Sequence, residues 1–235
     1  MPGFAHRLIG PFVSHALLGF EQAARFFPVG RSELTGIPIR EEFFRIEPKP
    51  HRPPFTVLIT GGSQGSHRLN EAALESLPHW SRAEWLDRIV FLHQSGQNEY
   101  NDVCSGYRAL GAQAEVAPYI EDMPGAFARA DVLVCRSGAS TVAELSAAGR
   151  ASLLVPFPFA ADQHQLRNAE AMQAAGAARL VEDRELTGRR FFEELRTMLE
   201  QPVRLEEMER AARRLARPGA ARRAAEVLEG VKPAS

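Results

Sequence analysis

Long apolar runs, cysteine and net charge are all scarce in this chain of 235 residues. No stretch approaches the ~18 apolar residues a spanning helix needs. The opening residues also lack the charged start, apolar middle and small-residue cleavage site of a secretory signal. These features point to a cytosolic protein or one resting on a cytosolic surface. Two cysteines, Cys104 and Cys135, cannot make a disulfide framework and read as small apolar residues in a reducing compartment. Neither has a nearby second ligand and no paired-histidine motif is present, so no metal site is expected. With 28 Lys plus Arg against 29 Asp plus Glu, no overall field gathers nucleic acid or anionic lipid, and any bound anion must be held by a local site. What is present is ordinary for a globular protein, 45% apolar and 24% charged residues. A chain this long buries roughly 70% of its unfolded surface and needs no staple.

From Phe4 to Phe27 the apolar spacing is roughly helical but is broken by Gly10-Pro11 and Gly19, which predicts one or two short helices. The start lacks the first strand that usually opens an α/β domain, which points to an upstream half not included here. Residues 45–54 hold four prolines in ten positions and read as a linker. Strand and helix signals then alternate. Phe55–Thr60 reads as a strand, and a helix from Ser66 to Leu77 is closed by Pro78. Ile89–His93, Ala114–Ala117, Asp131–Cys135 and Ala151–Val155 read as strands, with helices at about 99–110, 123–129 and 139–148. Several of these strands show little polar alternation, the mark of a parallel sheet covered on both faces. The fold class is therefore α/β, a Rossmann-like doubly wound sheet, whose ligands bind where strands end and helices begin. After Gln165 the chain reads as mostly helical. The arginines of the tail, Arg204 to Arg223, read as a solvated face.

Three loops carry chemistry. Gly61-Gly-Ser-Gln-Gly65 sits between a strand and a helix, where the backbone can approach an anion and helix N–H groups point at it; a tight turn that binds nothing fits it equally well. It is neither a Walker A loop nor the dinucleotide spacing. Arg136-Ser-Gly-Ala-Ser-Thr141 repeats the arrangement, and two such entries in one sheet suit a diphosphate. Thr141-Val-Ala-Glu144 matches a capping box; the alternative is a carboxylate for ribose hydroxyls, and spacing alone favours the cap. Asp162-Gln-His-Gln165 offers donors and acceptors suited to sugar hydroxyls or to capping.

Taken with His93-Gln-Ser-Gly96, Tyr119-Ile-Glu-Asp-Met123 and Thr35-Gly-Ile-Pro-Ile-Arg40, these motifs resemble, in order, the carboxyl-terminal half of the MurG family within glycosyltransferase family 28. That family transfers N-acetylglucosamine from its UDP sugar to lipid I, forming lipid II for peptidoglycan. The resemblance implies the carboxyl-terminal domain of a GT-B fold with a remnant of the amino-terminal domain. It divides the chain into an acceptor-domain tail (1–45), a linker (46–54), a donor-binding domain (55–203) and a helical tail (204–235). Carried over residue by residue, Gly62 and Ser63 would face phosphate and Ile120 would meet uracil through its backbone. Glu144 would take the ribose hydroxyls, which reverses the capping preference. Ala139, Ser140 and Thr141 would line phosphate and sugar, His164 and Gln165 would bind sugar hydroxyls, and Arg40 would join the donor site.

Ile37 stands where the family usually has asparagine, and the family's amino-terminal glycine loop with its histidine has no counterpart here. No catalytic base is therefore identified. The resemblance implies an inverting hexosyltransferase that needs no cofactor, lies on the inner face of the bacterial membrane, and is incomplete for turnover without the amino-terminal half. The competing readings are a non-catalytic nucleotide-sugar-binding module, a GT-B transferase with another glycolipid acceptor, and an NAD-dependent dehydrogenase, the last disfavoured by the glycine spacing.

Overall fold

A computed structural model describes residues 8–19, 21–160 and 163–230. Among the described residues no helix is long and apolar enough to cross a membrane. The first part holds strands β1 (Ala16–Leu18) and β2 (Ser32–Leu34), paired in parallel, with 3₁₀ turns at Gly10–Phe12, Glu21–Phe26 and Glu41–Arg45. Of the stretch 4–27, in which one or two short helices are expected, residues 4–7 and 20 lie outside the described residues; Leu8 and Ile9 are helical, Gly10–Phe12 and Glu21–Phe26 are 3₁₀ turns, and β1 lies between them because its pairing with β2 is non-local.

The remainder alternates β3 (Phe55–Thr60), α1 (His67–Arg82), β4 (Ile89–Gln94), α2 (Tyr100–Ala109), β5 (Ala114–Ala117), α3 (Met123–Arg129), β6 (Val132–Cys135), α4 (Ala139–Ala148), β7 (Ser152–Leu154), α5 (His164–Ala174) and β8 (Ala178–Leu180). Helices α6 (Gly188–Leu199), α7 (Pro202–Arg214) and α8 (Ala220–Gly230) complete it. The six strands run parallel in the order β5-β4-β3-β6-β7-β8. Side chains alternate between two cores. Val57, Ile59, Val132, Val134 and Leu153 face α1, α2 and α6, whereas Leu58, Leu133, Cys135 and Leu154 face α3, α4, α5 and Phe43. Apolar burial on both faces is what gave these strands their continuous apolar runs.

Two elements differ from the sequence reading. Helix α1 runs through Pro78 to Arg82. An interior proline costs roughly 3 kcal/mol, but beyond it Trp80 is fully buried, 4.7 Å from the Phe192 ring, and donates to Ser76 Oγ at 3.1 Å. Burial of that size offsets the proline. Strand β8 was not anticipated. It is three residues long, contains Arg179, and pairs only with β7 at the sheet edge.

Residues 46–54 form no regular element, yet they are bound down by charge. Lys49 Nζ lies 2.9 Å from Asp131 Oδ2 and donates to the Arg129 carbonyl at 2.8 Å. The buried His51 reaches Asp131 Oδ1 through Nδ1 at 2.8 Å. Its Nε2 lies 3.2 Å from Glu209 Oε2, an ion-pair distance off the line of a hydrogen bond. Glu209 in turn meets the fully buried Arg150 at 3.2 Å, and Arg150 donates to the carbonyls of Phe127, Ala128 and Glu47. The tail arginines are not all a solvated face either. Arg213 donates to Ala147 and Ala148 at the end of α4 (2.6 and 3.0 Å) and to Phe44 and Ile46 (3.3 and 2.7 Å). It thereby closes α4's carboxyl end with positive charge and fastens the crossover segment beside it.

Burial alone would lower the His51 pKa, but the carboxylates of Asp131 and Glu209 outweigh it and raise it from 6.5 to about 9. Asp131 moves the other way: burial pushes it up, and His51, the Thr56 N–H and Lys49 pull it below the usual range. A raised histidine contributes stability that is full below its unfolded pKa of 6.5 and lost as pH rises through about 9. The depressed Asp131 contributes stability present above its unfolded value and lost as pH falls through its folded one. The melting temperature is accordingly expected to decline from pH 6.5 toward 9. In His51→Gln that alkaline slope should be absent and stability near neutrality lower by about 3 kcal/mol; thermal melts across pH check both.

Candidate functional site

The sheet reverses its winding between β3 and β6, so the loops after these two strands flank a crevice at the carboxyl rim. After β3, the Gly65 N–H closes onto the Gly62 carbonyl at 3.0 Å and the Gly62 N–H donates to Thr60 Oγ1 at 3.2 Å. Gly62 and Ser63 are exposed at the loop's tip. The loop lies backbone to backbone on the loop after β4. A Cβ on Gly65, which has φ +75°, would sit 2.0 Å from the Ser95 carbonyl oxygen, and one on Gly96 would sit 2.2 Å from the Gln64 oxygen.

Buried Gln94, at the end of β4, organises this corner. Its Nε2 donates to Thr60 Oγ1 (3.2 Å) and to the Gly62 carbonyl (2.8 Å), and its Oε1 accepts the Ile120 N–H at 2.8 Å. The reading of Ile120 as a backbone partner for a base is therefore narrowed, since its N–H is already used and its carbonyl is the part left to a ligand. Sequence reasoning quoted Gln94 within a motif but gave it no role.

After β6, α4 begins at Ala139 with Gly138 as its N-cap and no side-chain cap. This overturns the capping-box reading: Thr141 lies inside the first turn rather than at the cap position, and Glu144 is a turn further on. A glycine cap leaves the first-turn N–H groups, from Ala139 through Thr141, without a side-chain acceptor and concentrates the helix's positive end there. Ser140 is exposed, while Ala139, Thr141 and Glu144 are partly buried. Burial raises the Glu144 pKa and the charge of Arg40 opposes the rise. The two residues, far apart in sequence, thus share one electrostatic environment. Arg40 stands at the head of the 41–45 turn, with its guanidinium 5.3 Å from the Phe43 ring centre.

Arg136 is the second residue without an assigned role. Its Nη2 donates to Ser66 Oγ (2.8 Å); its Nη1 donates to the carbonyls of Val155 and Pro156 (both 3.2 Å) and pairs with Asp183 Oδ1 at 2.5 Å. One guanidinium therefore ties the loops after β3, β6, β7 and β8. Its only sequence signal was position next to a strand end. Ser137 Oγ donates to the Gln165 carbonyl at 2.8 Å, and Asn168 Nδ2 to the Ser137 carbonyl at 3.0 Å, which sets the start of α5 beside that of α4. His164 and Gln165 are α5's first residues. Gln165 Oε1 accepts the Phe157 N–H at 3.0 Å, so its amide nitrogen is the group available to a sugar. Asp162 lies outside the described residues. Among the described residues, no group of three or more His, Cys, Asp or Glu side chains is placed to hold a metal ion.

Residues 56–225 match the glycosyltransferase family 28 C-terminal domain. The chain is 52% identical over 230 residues to the UDP-N-acetylglucosamine–N-acetylmuramyl-(pentapeptide) pyrophosphoryl-undecaprenol N-acetylglucosamine transferase of Solibacter usitatus (strain Ellin6076), covering 98% of this chain and 62% of the relative. It is 44% identical over 229 residues to the protein of the same name from Anaeromyxobacter sp. (strain Fw109-5), covering 96% and 59%. The crystal structure of Acinetobacter baumannii MurG superposes with a TM-score of 0.77 at 29% identity, over 97% of this chain and 64% of that one. The chain thus spans about three fifths of the length of the curated relatives it matches. The expected architecture, the carboxyl-terminal domain of a GT-B fold, is borne out, as is the MurG resemblance.

The glycine contacts separate two neighbouring substitutions. Gly62 has φ +92° and open space around its missing Cβ, so Gly62→Ala is expected to lose only about 1 kcal/mol from backbone strain. Gly65→Ala must push the two loops apart and should lose clearly more; paired denaturant unfolding curves check the difference.

Proposed function

The chain belongs to glycosyltransferase family 28, and on that premise we propose that it supplies the donor-binding half of an N-acetylglucosaminyltransferase acting on lipid I to form lipid II. The observation that carries this reading is the pair of helix entries at the switch point, after β3 and after β6, with Glu144 on the second helix and within the field of Arg40. Such entries offer preorganised N–H donors where a uridine diphosphate leaving group gains charge, without a cation being required. Gly62, Ser63 and the first turn of α4 would take the two phosphates. The Ile120 carbonyl would meet the uracil, Glu144 the ribose hydroxyls, and His164 with the Gln165 amide the sugar. Arg40 would hold Glu144 in its ionised form.

In the inverting reaction an acceptor hydroxyl attacks the anomeric carbon as the bond to the diphosphate oxygen breaks. Residues 55–203 would bind the donor, and residues 1–45, through the 46–54 segment, would belong with the acceptor-binding part. Proton abstraction and acceptor capture are assigned to the stretch of the relatives that this chain does not match, on the inner face of the bacterial membrane. Binding without turnover is then the expected behaviour of these 235 residues alone.

Calorimetry should give binding of UDP-N-acetylglucosamine in the presence of EDTA and none of NAD; absence of UDP binding rejects the proposal. If Glu144 takes the ribose, UDP should outbind 2′-deoxy-UDP in the wild type and lose that advantage in Glu144→Ala. Because a carboxylate is the accepting form and burial raises its pKa, affinity should fall on acidification at a higher pH than an ordinary glutamate would give. A pH series of titrations reads this directly.

A further inference from the structure

Where the loops after β3 and β4 meet lies a buried chain of polar side chains to which no role has yet been given. Asn70 in α1 is 2% exposed, His93 in β4 is fully buried, and Tyr107 in α2 is 2% exposed. Asn70 Nδ2 lies 2.9 Å from the Ser95 carbonyl oxygen and 3.0 Å from Glu99 Oε2. Asn70 Oδ1 lies 2.9 Å from His93 Nε2, and His93 Nδ1 lies 2.9 Å from the Tyr107 hydroxyl. Only one arrangement of protons satisfies all four contacts. A carbonyl and a carboxylate both accept, so the amide nitrogen must face them and the amide oxygen must face His93. His93 therefore carries its proton on Nε2 and accepts the Tyr107 O–H at Nδ1. Burial lowers the His93 pKa to about 3, which keeps this neutral form in place at ordinary pH.

The contact to Ser95 matters because the glycine loop rests on the same atom. It is the Ser95 carbonyl oxygen that a Cβ on Gly65 would strike, so Gly65 passes directly against it. Ser66 then leads into α1, and the Asn70 N–H closes onto the Ser66 carbonyl at 2.9 Å. A ring results: α1 holds Ser95 through Asn70, Ser95 bears on Gly65, and Gly65 leads back into α1. The ring fixes residues 61–65 relative to the amino-terminal end of α1, the two features that meet a phosphate in the function proposed above. An apolar cluster would fill the same space at equal or lower cost, whereas a fully satisfied polar network specifies one arrangement of its members.

We propose that Asn70 is a positioning residue for the donor's diphosphate, its amide oriented by His93 so that the Ser95 carbonyl, and with it the glycine loop, is held where the loop accepts phosphate. This deepens the function proposed above and rests on it. Asn70 touches no ligand and acts through Ser95 and Gly65. The contacts assigned to uracil and ribose, at Ile120 and Glu144, are not members of the ring.

NMR titration of the intact chain with UDP and with uridine tests this, since the ratio of the two affinities isolates the diphosphate. In Asn70→Asp the side chain keeps an oxygen for His93 but has no hydrogen for Ser95. UDP affinity should then fall about tenfold with uridine affinity unchanged, and Asn70→Ala carries the same expectation should the carboxylate variant not fold. Tyr107→Phe removes a buried hydrogen bond at the far end of the network. It should lower the melting temperature and leave the UDP-to-uridine ratio at its wild-type value. A wild-type ratio in the Asn70 variants, or an equal loss in Tyr107→Phe, overturns the proposal and leaves the donor site standing. A wild type that binds no UDP rejects the donor-site reading and this proposal with it. Long-range ¹H–¹⁵N spectra of the wild type need no variant: His93 should show a protonated Nε2, a bare Nδ1 and no titration between about pH 5 and 8. A proton on Nδ1 overturns the proposal.

Discussion

Because all six main strands run parallel, every strand ends at the same rim, and every loop that could touch a ligand is delivered to one side of the molecule. The reversal of winding between β3 and β6 then decides which loops face each other. It sends the helix after β3 to one face and the helix after β6 to the other, so the two loops part and leave a crevice between them. The remaining site features refine this opening. Gln94 fixes the loop after β3 and the Ile120 backbone from below. Arg136 fixes it from the other side, using one guanidinium where four separate loops would otherwise need their own anchors.

Charge is buried where the chain crosses into the domain, and it serves position more than stability. Pairing charges inside a protein is close to neutral against a well-packed apolar alternative. The Lys49, His51, Asp131, Glu209 and Arg150 cluster nevertheless connects the irregular 46–54 segment, the start of β6 and helix α7. Arg213 adds the carboxyl end of α4 to the same assembly. The crossover that carries Arg40 is thus held to the helix that carries Glu144. An arginine and a glutamate a hundred residues apart keep a shared environment through these contacts.

Much of this was readable from residue order. Strands β3 and β5 and helices α3 and α4 begin and end where apolar runs meet glycine, proline or a polar turn, since burial on two faces leaves little room for other patterns. The failures share a physical cause, which is dependence on partners distant in sequence. Strand β8 is defined by its pairing with β7, the β1–β2 pair by its own non-local register, and the passage of α1 through Pro78 by the burial of Trp80. Glu144 at a capping-box spacing misled because Gly138 starts the helix earlier. Gln94 and Arg136 went without roles because both act on backbone and side-chain groups of loops distant in sequence, which leave no trace in local spacing. Family motifs supplied the remaining site residues, where residue chemistry alone left cap and ligand contact undecided.

The central claim is that backbone amides at two helix entries bind the uridine diphosphate leaving group. The most direct measurement is an amide-resolved ¹H–¹⁵N NMR titration of the chain with UDP in EDTA. Saturable downfield shifts should concentrate at residues 63–64 and 139–141, whose N–H groups are not engaged by the Thr60 hydroxyl as that of Gly62 is. Shifts confined to other parts of the molecule, or none at all, would contradict the claim.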